Sequence, residues 1–142
     1  MSNWIQASGI LQHSPPRPGG KKRINNYWLI VKMPRGIVEY YHHWIQKKIG
    51  PPWDPNAVKL QLPMWGGHIT VLDGRIPLNA NQEKILESLD GNRVNFEYSP
   101  DIQQHWKFFY LPVKSQQLDN IRKTLGLTKP HPYHITVARQ VD

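Results

Sequence analysis

The tetrapeptide HITV occurs twice in this chain, at residues 68–71 within WGGHITVLDG and at residues 134–137 within HPYHITVARQ. The 142 residues include seven histidines and four threonines, so composition alone gives only about 0.2 His-x-Thr matches. Each copy also closes a segment with the same order of predicted elements, namely a strand, a helix, a connection and the HITV strand. We therefore interpret the chain as an internal duplication.

The elements themselves are predicted from apolar periodicity, helix caps and turn residues. Alternating or continuous apolar runs predict strands, and apolar residues three and four positions apart predict helices. In chain order these are a strand at 27–33, a helix at 37–49, a short strand at 58–62, the first HITV strand, a helix at 79–91, a strand at 93–99, a strand at 105–113, a helix at 115–126 and the second HITV strand.

Residues 1–26 differ in composition from the rest, since SPPRPGGKKR lies near their end. We expect them to form an N-terminal arm or irregular loop, followed by a single domain at 27–142. They lack the basic and apolar regions of a signal peptide, and no apolar run reaches the length of a membrane span. We therefore expect a soluble, cytoplasmic protein that does not associate with membranes and is a monomer rather than an oligomer.

The formal net charge is +8, and the chain has no cysteine. An excess of positive charge favours anionic partners, and nucleotides are the first candidates. The absence of cysteine excludes a disulfide framework, Cys-ligated zinc and a cysteine nucleophile.

The spacing of His and Thr fits chemistry at a phosphodiester. On a strand, His68 and Thr70 point to the face opposite Ile69, and the second copy repeats this arrangement. If both copies face one cleft, the threonines can donate hydrogen bonds to phosphate oxygens. One neutral histidine can accept a proton from the attacking hydroxyl, while the other, protonated, can donate one to the leaving oxygen.

At these residues the chain resembles the 2H phosphoesterases, a family that has two His-x-Thr/Ser motifs on duplicated lobes. The resemblance extends from about residue 27 to residue 140. It implies an α+β, bilobal fold in which two pseudo-symmetric antiparallel sheets, flanked by helices, surround a central cleft. It also implies catalysis without a metal or cofactor by His68, Thr70, His134 and Thr136.

The compact chain is similar to a phage subgroup of that family, the anti-CBASS enzymes, which hydrolyse cyclic oligonucleotide signals of bacterial immunity. The resemblance thus implies a cyclic or short oligonucleotide as the substrate, with a 3′-5′ or 2′-5′ linkage. Tyr133 and Trp65 are candidates to stack on its base. Arg75 is a candidate phosphate contact. Arg139, five residues after His134, is expected on the opposite face unless a bulge intervenes.

Three alternatives remain open. The enzyme could be an RNA 2′,3′-cyclic phosphodiesterase or a 2′-5′ oligoadenylate phosphodiesterase. The same fold could serve as a non-catalytic nucleotide-binding module. A two-histidine metal hydrolase is the third, although no cluster of acidic residues accompanies the histidines. The sequence does not tell which histidine is the base.

Overall fold

A computed structural model describes residues 3–14, 27–51, 53–63 and 66–141 as a mixed α+β protein. No helix in these ranges is long and apolar enough to cross a membrane. The elements are β1 (Ile5–His13), β2 (Trp28–Lys32), α1 (Arg35–Ile49), β3 (Lys59–Gln61), β4 (His68–Asp73), α2 (Ala80–Leu89), β5 (Arg93–Tyr98), β6 (Gln103–His105), β7 (Phe108–Lys114), α3 (Gln116–Thr124) and β8 (Tyr133–Val141).

Side-chain caps fix where two of the helices begin. Asn79 accepts from the backbone N–H of Gln82, and the Gln82 side chain accepts in return from the Asn79 N–H, which makes a capping box. The Ser115 side chain accepts from the Leu118 N–H at the start of α3. The predicted α2 and α3 are confirmed, and α1 begins two residues earlier than predicted, directly after Pro34.

The strands form one antiparallel sheet in the order β3-β8-β4-β2-β1-β5-β7-β6, and β8 also pairs with β7. Six of them, β8-β4-β2-β1-β5-β7, therefore close into a ring, while β3 and β6 extend it on the outside. The prediction of an α+β fold is confirmed. The sheet is continuous, however, whereas the resemblance implied two separate sheets.

Two short strand pairings, β4 with β8 and β5 with β7, close the ring and join what would otherwise be two four-stranded sheets. We call the β4–β8 pairing the seam. β4 and β8 pair at a single position, Ile69 with Ile135. β5 and β7 pair at two positions, whereas β7 and β8 pair at six. Backbone groups left at the edges of two four-stranded halves would need partners, and these short pairings supply some of them.

The prediction that residues 1–26 form an arm or loop is wrong for residues 5–13. They form β1, which lies between β2 and β5 in the ring. Only Leu11 of its large apolar side chains is fully buried, so the strand has little hydrophobic periodicity. A Cβ on Gly9 would lie 2.5 Å from a Val31 methyl group, so the close approach of β1 and β2 requires glycine here. Residues 15–26 lie outside the described part.

The strand predicted at 105–113 is partly wrong. Residues 108–114 form β7, but residue 105 belongs to β6, and Trp106 and Lys107 form the turn of a hairpin. The aromatic residues around it concealed this turn, because Trp106 and Lys107 are neither glycine, asparagine nor proline.

Candidate active site

The two HITV copies meet in the middle of the molecule. Ile69 of β4 is paired with Ile135 of β8 in an antiparallel arrangement. Continuing this register places His68 beside Thr136, and Thr70 beside His134. All four side chains lie on one face of the sheet, which we call the HITV face.

Burial follows the alternation that the sequence predicts. Ile69, Val71, Ile135 and Val137 each have 0% of their surface exposed and belong to the core. His68, Thr70 and Thr136 are partly exposed, and His134 is exposed. The apolar residues thus anchor both strands, and the polar residues remain accessible to a ligand.

A matching β-bulge follows the His-x-Thr residues of each HITV copy. Between β2 and β4 the register shifts so that Ile30 pairs with Thr70 but Leu29 with Leu72. Between β7 and β8 it shifts in the same way, and Tyr110 pairs with Thr136. Val71 and its counterpart Val137 are the extra residues. Bulges at the same place in both copies support the duplication, and bulges often lie next to active sites.

Each bulge carbonyl accepts a hydrogen bond from the helix of the other repeat. Arg122 of α3 donates to the Val71 oxygen at 2.7 Å. His42 of α1 makes the corresponding contact through Nδ1 to the Val137 oxygen at 3.0 Å. The two contacts satisfy carbonyls beside the seam and link the repeats crosswise.

The surroundings of His68 favour its neutral form. Burial lowers the pKa of His68 below its ordinary value, and the charge of His134 lowers it further, against an opposing hydrogen bond to the Gly66 carbonyl. That bond joins Nδ1 to the carbonyl oxygen at 3.4 Å, so Nδ1 is the donor and Nε2 has the lone pair. Gly66 has φ +67°, a backbone conformation that favours glycine.

His134 lies in a more open and more aromatic setting. The Tyr110 ring meets it edge to face, with 5.5 Å between the ring centroids. A cavity of about 360 Å³ adjoins this pair, lined by His105, Phe108, Tyr110, Pro132, His134 and Thr136. The second motif therefore borders a space in which a small ligand could lie.

A third histidine, which the sequence analysis missed, supports the first motif. His131 Nε2 lies 3.3 Å from the Thr70 carbonyl oxygen. Burial lowers the pKa of His131, and the Arg122 cation lowers it further. A neutral imidazole here donates to Thr70 and adds no charge next to His134. The sequence around His131, between Pro130 and Pro132, gives no sign of this contact, because the contact depends on the pairing of β4 with β8.

The pairing also brings two cations onto the HITV face. Lys32 of β2 lies opposite His68. Arg139 lies opposite Phe108, because the bulge at Val137 shifts the alternation by one residue. Arg139 thus lies on the same face as His134, as expected if a bulge separates the two residues. Lys32 was missed, although the repeat pattern makes its strand the natural partner of β4.

The residues predicted to bind the substrate lie away from the HITV face or outside the described residues. Tyr133 is 5% exposed and its ring packs beside His131, so it offers no stacking surface on the HITV face, and that prediction is wrong. Its position directly before His134 sends it to the opposite face of the strand. Trp65 lies outside the described residues. Arg75 is exposed and forms an ion pair with Asp73 at 3.4 Å, bordering a separate cavity of about 190 Å³.

Within the described ranges, no three His, Cys, Asp or Glu side chains are grouped as metal ligands would be. Another cavity, of about 850 Å³, lies between β1, β5 and α3 and contains none of the four motif residues. Its lining includes the exposed pair Glu97 and Lys114. The candidate site is identified not by cavity size but by the two HITV copies at the pairing of β4 with β8, where two histidines, His68 and His131, have lowered pKa values.

No protein-family model, no curated protein and no solved structure matches this chain.

Proposed function

We propose that the protein is a metal-independent phosphodiesterase of the 2H type, acting on a short or cyclic oligonucleotide. One observation supports this above all others: the pairing of Ile69 with Ile135 places both His-x-Thr motifs on one face. In this proposal the two imidazoles and two hydroxyls of that face act together on one phosphate group.

The roles divide according to the surroundings of each histidine. His68, whose pKa is lowered, is neutral at pH 7 and accepts the proton of the attacking water or ribose hydroxyl through Nε2. His134, when protonated, donates to the leaving oxygen as its bond to phosphorus breaks. Thr70 and Thr136 donate hydrogen bonds to the non-bridging oxygens and stabilise their developing charge.

The finer assignment is a cyclic-oligonucleotide phosphodiesterase similar to the phage anti-CBASS enzymes, working in the cytoplasm as a monomer. Its support is the compact chain and the net charge of +8, which favours an anionic substrate. An RNA 2′,3′-cyclic phosphodiesterase or a 2′-5′ oligoadenylate phosphodiesterase would use the same four side chains.

A substrate panel in EDTA tests the proposal. Cyclic dinucleotides, cyclic trinucleotides, 2′-5′ oligoadenylate and RNA ending in a 2′,3′-cyclic phosphate are incubated with the protein, and the products are separated by chromatography. We expect cleavage of at least one of them, with His68→Ala as the inactive control. Binding without any product would favour a nucleotide-binding module instead, and activity only after Zn²⁺ or Mn²⁺ is added would favour a metal hydrolase.

A further inference from the structure

We propose that the HITV face of β6, β7 and β8 is a stacking surface for the nucleotide next to the cleaved phosphate. We call it the aromatic strip, and it comprises Tyr110, Phe108, Trp106 and Arg139. The ligand is a single-stranded oligonucleotide of two or more nucleotides. This inference rests on the proposed function, since it assumes that the phosphate lies between the two motifs.

The rings of the strip lead outward from the second motif. Tyr110 contacts the His134 ring, as described above, and Phe108 lies two residues along the same strand on the same face, about 7 Å further. Trp106 at the hairpin turn lies 6.0 Å from Phe108, between ring centroids. Successive bases of a single strand stack on such exposed aromatic side chains irrespective of their sequence.

Positive charge accompanies the rings. The Arg139 guanidinium lies 5.9 Å from the Phe108 ring centroid, and the Lys107 ammonium lies 5.1 Å from the Trp106 ring centroid. Both cations can meet the phosphates of a strand whose bases lie on the rings. Nucleic-acid surfaces that do not read sequence combine these same two features.

Trp106 occupies a costly position for a large side chain. Its φ is +53°, in a two-residue turn where glycine or asparagine is favoured. The side chain is nevertheless 69% exposed, so burial in the core does not offset this cost. A strained and exposed tryptophan beside Phe108, which lines the cavity at the second motif, is better explained by a ligand than by folding.

The position that matches Arg139 at the first motif carries the opposite charge. Asp73 follows His68 by five residues, as Arg139 follows His134, and both stand just beyond their bulges. The Asp73 carboxylate forms an ion pair with Arg75 at 3.4 Å, so this position offers a further phosphate no net positive charge, whereas the Arg139 guanidinium on the β8 side attracts one. The difference in charge directs the substrate toward β7 and the hairpin.

Binding to an inactive background tests the strip without turnover. The parent is His68→Ala, and the probe is a single-stranded hexaadenylate RNA labelled with fluorescein, followed by fluorescence anisotropy. We expect Trp106→Ala and Phe108→Leu, each added to the parent, to raise Kd about 5- to 100-fold. Trp44→Ala is the matched control, since Trp44 is also exposed and has Lys47 over its ring, but lies on α1.

The outcomes separate this inference from the proposed function. If Trp106→Ala and Phe108→Leu bind the RNA as tightly as the parent, or if Trp44→Ala weakens binding as much as they do, the strip is wrong. If the strip variants lose binding but the wild-type protein cleaves nothing in the panel, the proposed catalysis is wrong and the stacking surface stands. A circular dichroism spectrum of each variant excludes misfolding as the cause of lost binding.

Discussion

In β4, His68 is half-buried behind Gly66 and faces Lys32, whereas in β8 His134 is exposed and faces the ring of Tyr110. Both strands nevertheless have the same backbone plan, with a buried Ile and Val, a bulge after the motif and a hydrogen bond from the other repeat's helix. The duplication thus conserves the placement of the two histidines but not their surroundings. That difference is what acid–base catalysis requires, because one histidine must be neutral while the other is charged.

The largest expected effect comes from removing either histidine. We expect His68→Ala and His134→Ala each to lower kcat/KM on the substrate found by the panel about 10²- to 10⁴-fold, since each abolishes one proton transfer. Initial rates measure this. His43→Ala, an exposed histidine on α1, should leave the rate unchanged. Equal activity of all three variants would show that the motifs are not catalytic.

The threonines should have smaller and similar effects. Thr70→Val and Thr136→Val keep the side-chain shape but remove the hydroxyl, and a hydrogen bond to a charged group corresponds to about 10- to 100-fold in kcat/KM. The Thr→Ser variants keep the hydroxyl and should retain most of the rate. A large loss of kcat/KM for only one of the two Thr→Val variants would show that the phosphate does not lie between the two motifs.

The pH profile sharpens the contrast between the two histidines. His68 must be neutral to act as the base, so activity should fall as the pH drops through its pKa, and burial puts that midpoint below 6.5. NMR titration of the His68 ring in the free protein checks this assignment. In His134→Asn the midpoint should rise, since the charge that lowers it is gone. A His68 midpoint above 6.5 in the unsubstituted protein would reverse the roles.

The smallest effect concerns the helix contacts to the bulges. Arg122→Met and His42→Leu each leave a carbonyl near the seam without its donor, which should lower the free energy of unfolding by about 1–3 kcal/mol. Urea denaturation measures this. The exposed neighbours Lys123→Met and His43→Leu serve as controls. If the control pair destabilises equally, the crosswise contacts do not hold the repeats together.

The sequence predicted most of the elements because caps and periodicity are local. Asn79, Ser115 and the Gly-Pro-Pro stop after α1 mark helix ends in the residues themselves. β1 was missed because its partners, rather than its own hydrophobicity, make it a strand. The closure of the sheet was equally hidden, since it depends on one paired position between β4 and β8 and on two between β5 and β7.

The four motif residues could be named from the repeat, but their neighbours could not. Tyr133 was chosen because it is adjacent in sequence, although strand alternation alone places it on the opposite face from His134. Tyr110 and Lys32 come from other strands, and only the pairing register shows that they face the motifs. The position of Arg139 on the HITV face depends on the bulge at Val137, for which the sequence has no local signal.

A double-variant cycle tests most directly the claim that the two HITV copies form one site. kcat/KM is measured for the wild type, His68→Ala, His134→Ala and the variant with both changes, on the same substrate. Because both histidines act on one phosphate, the double variant should be about as slow as the slower single variant. If the two losses multiply instead, or if one single variant keeps full activity, the histidines do not work as a pair.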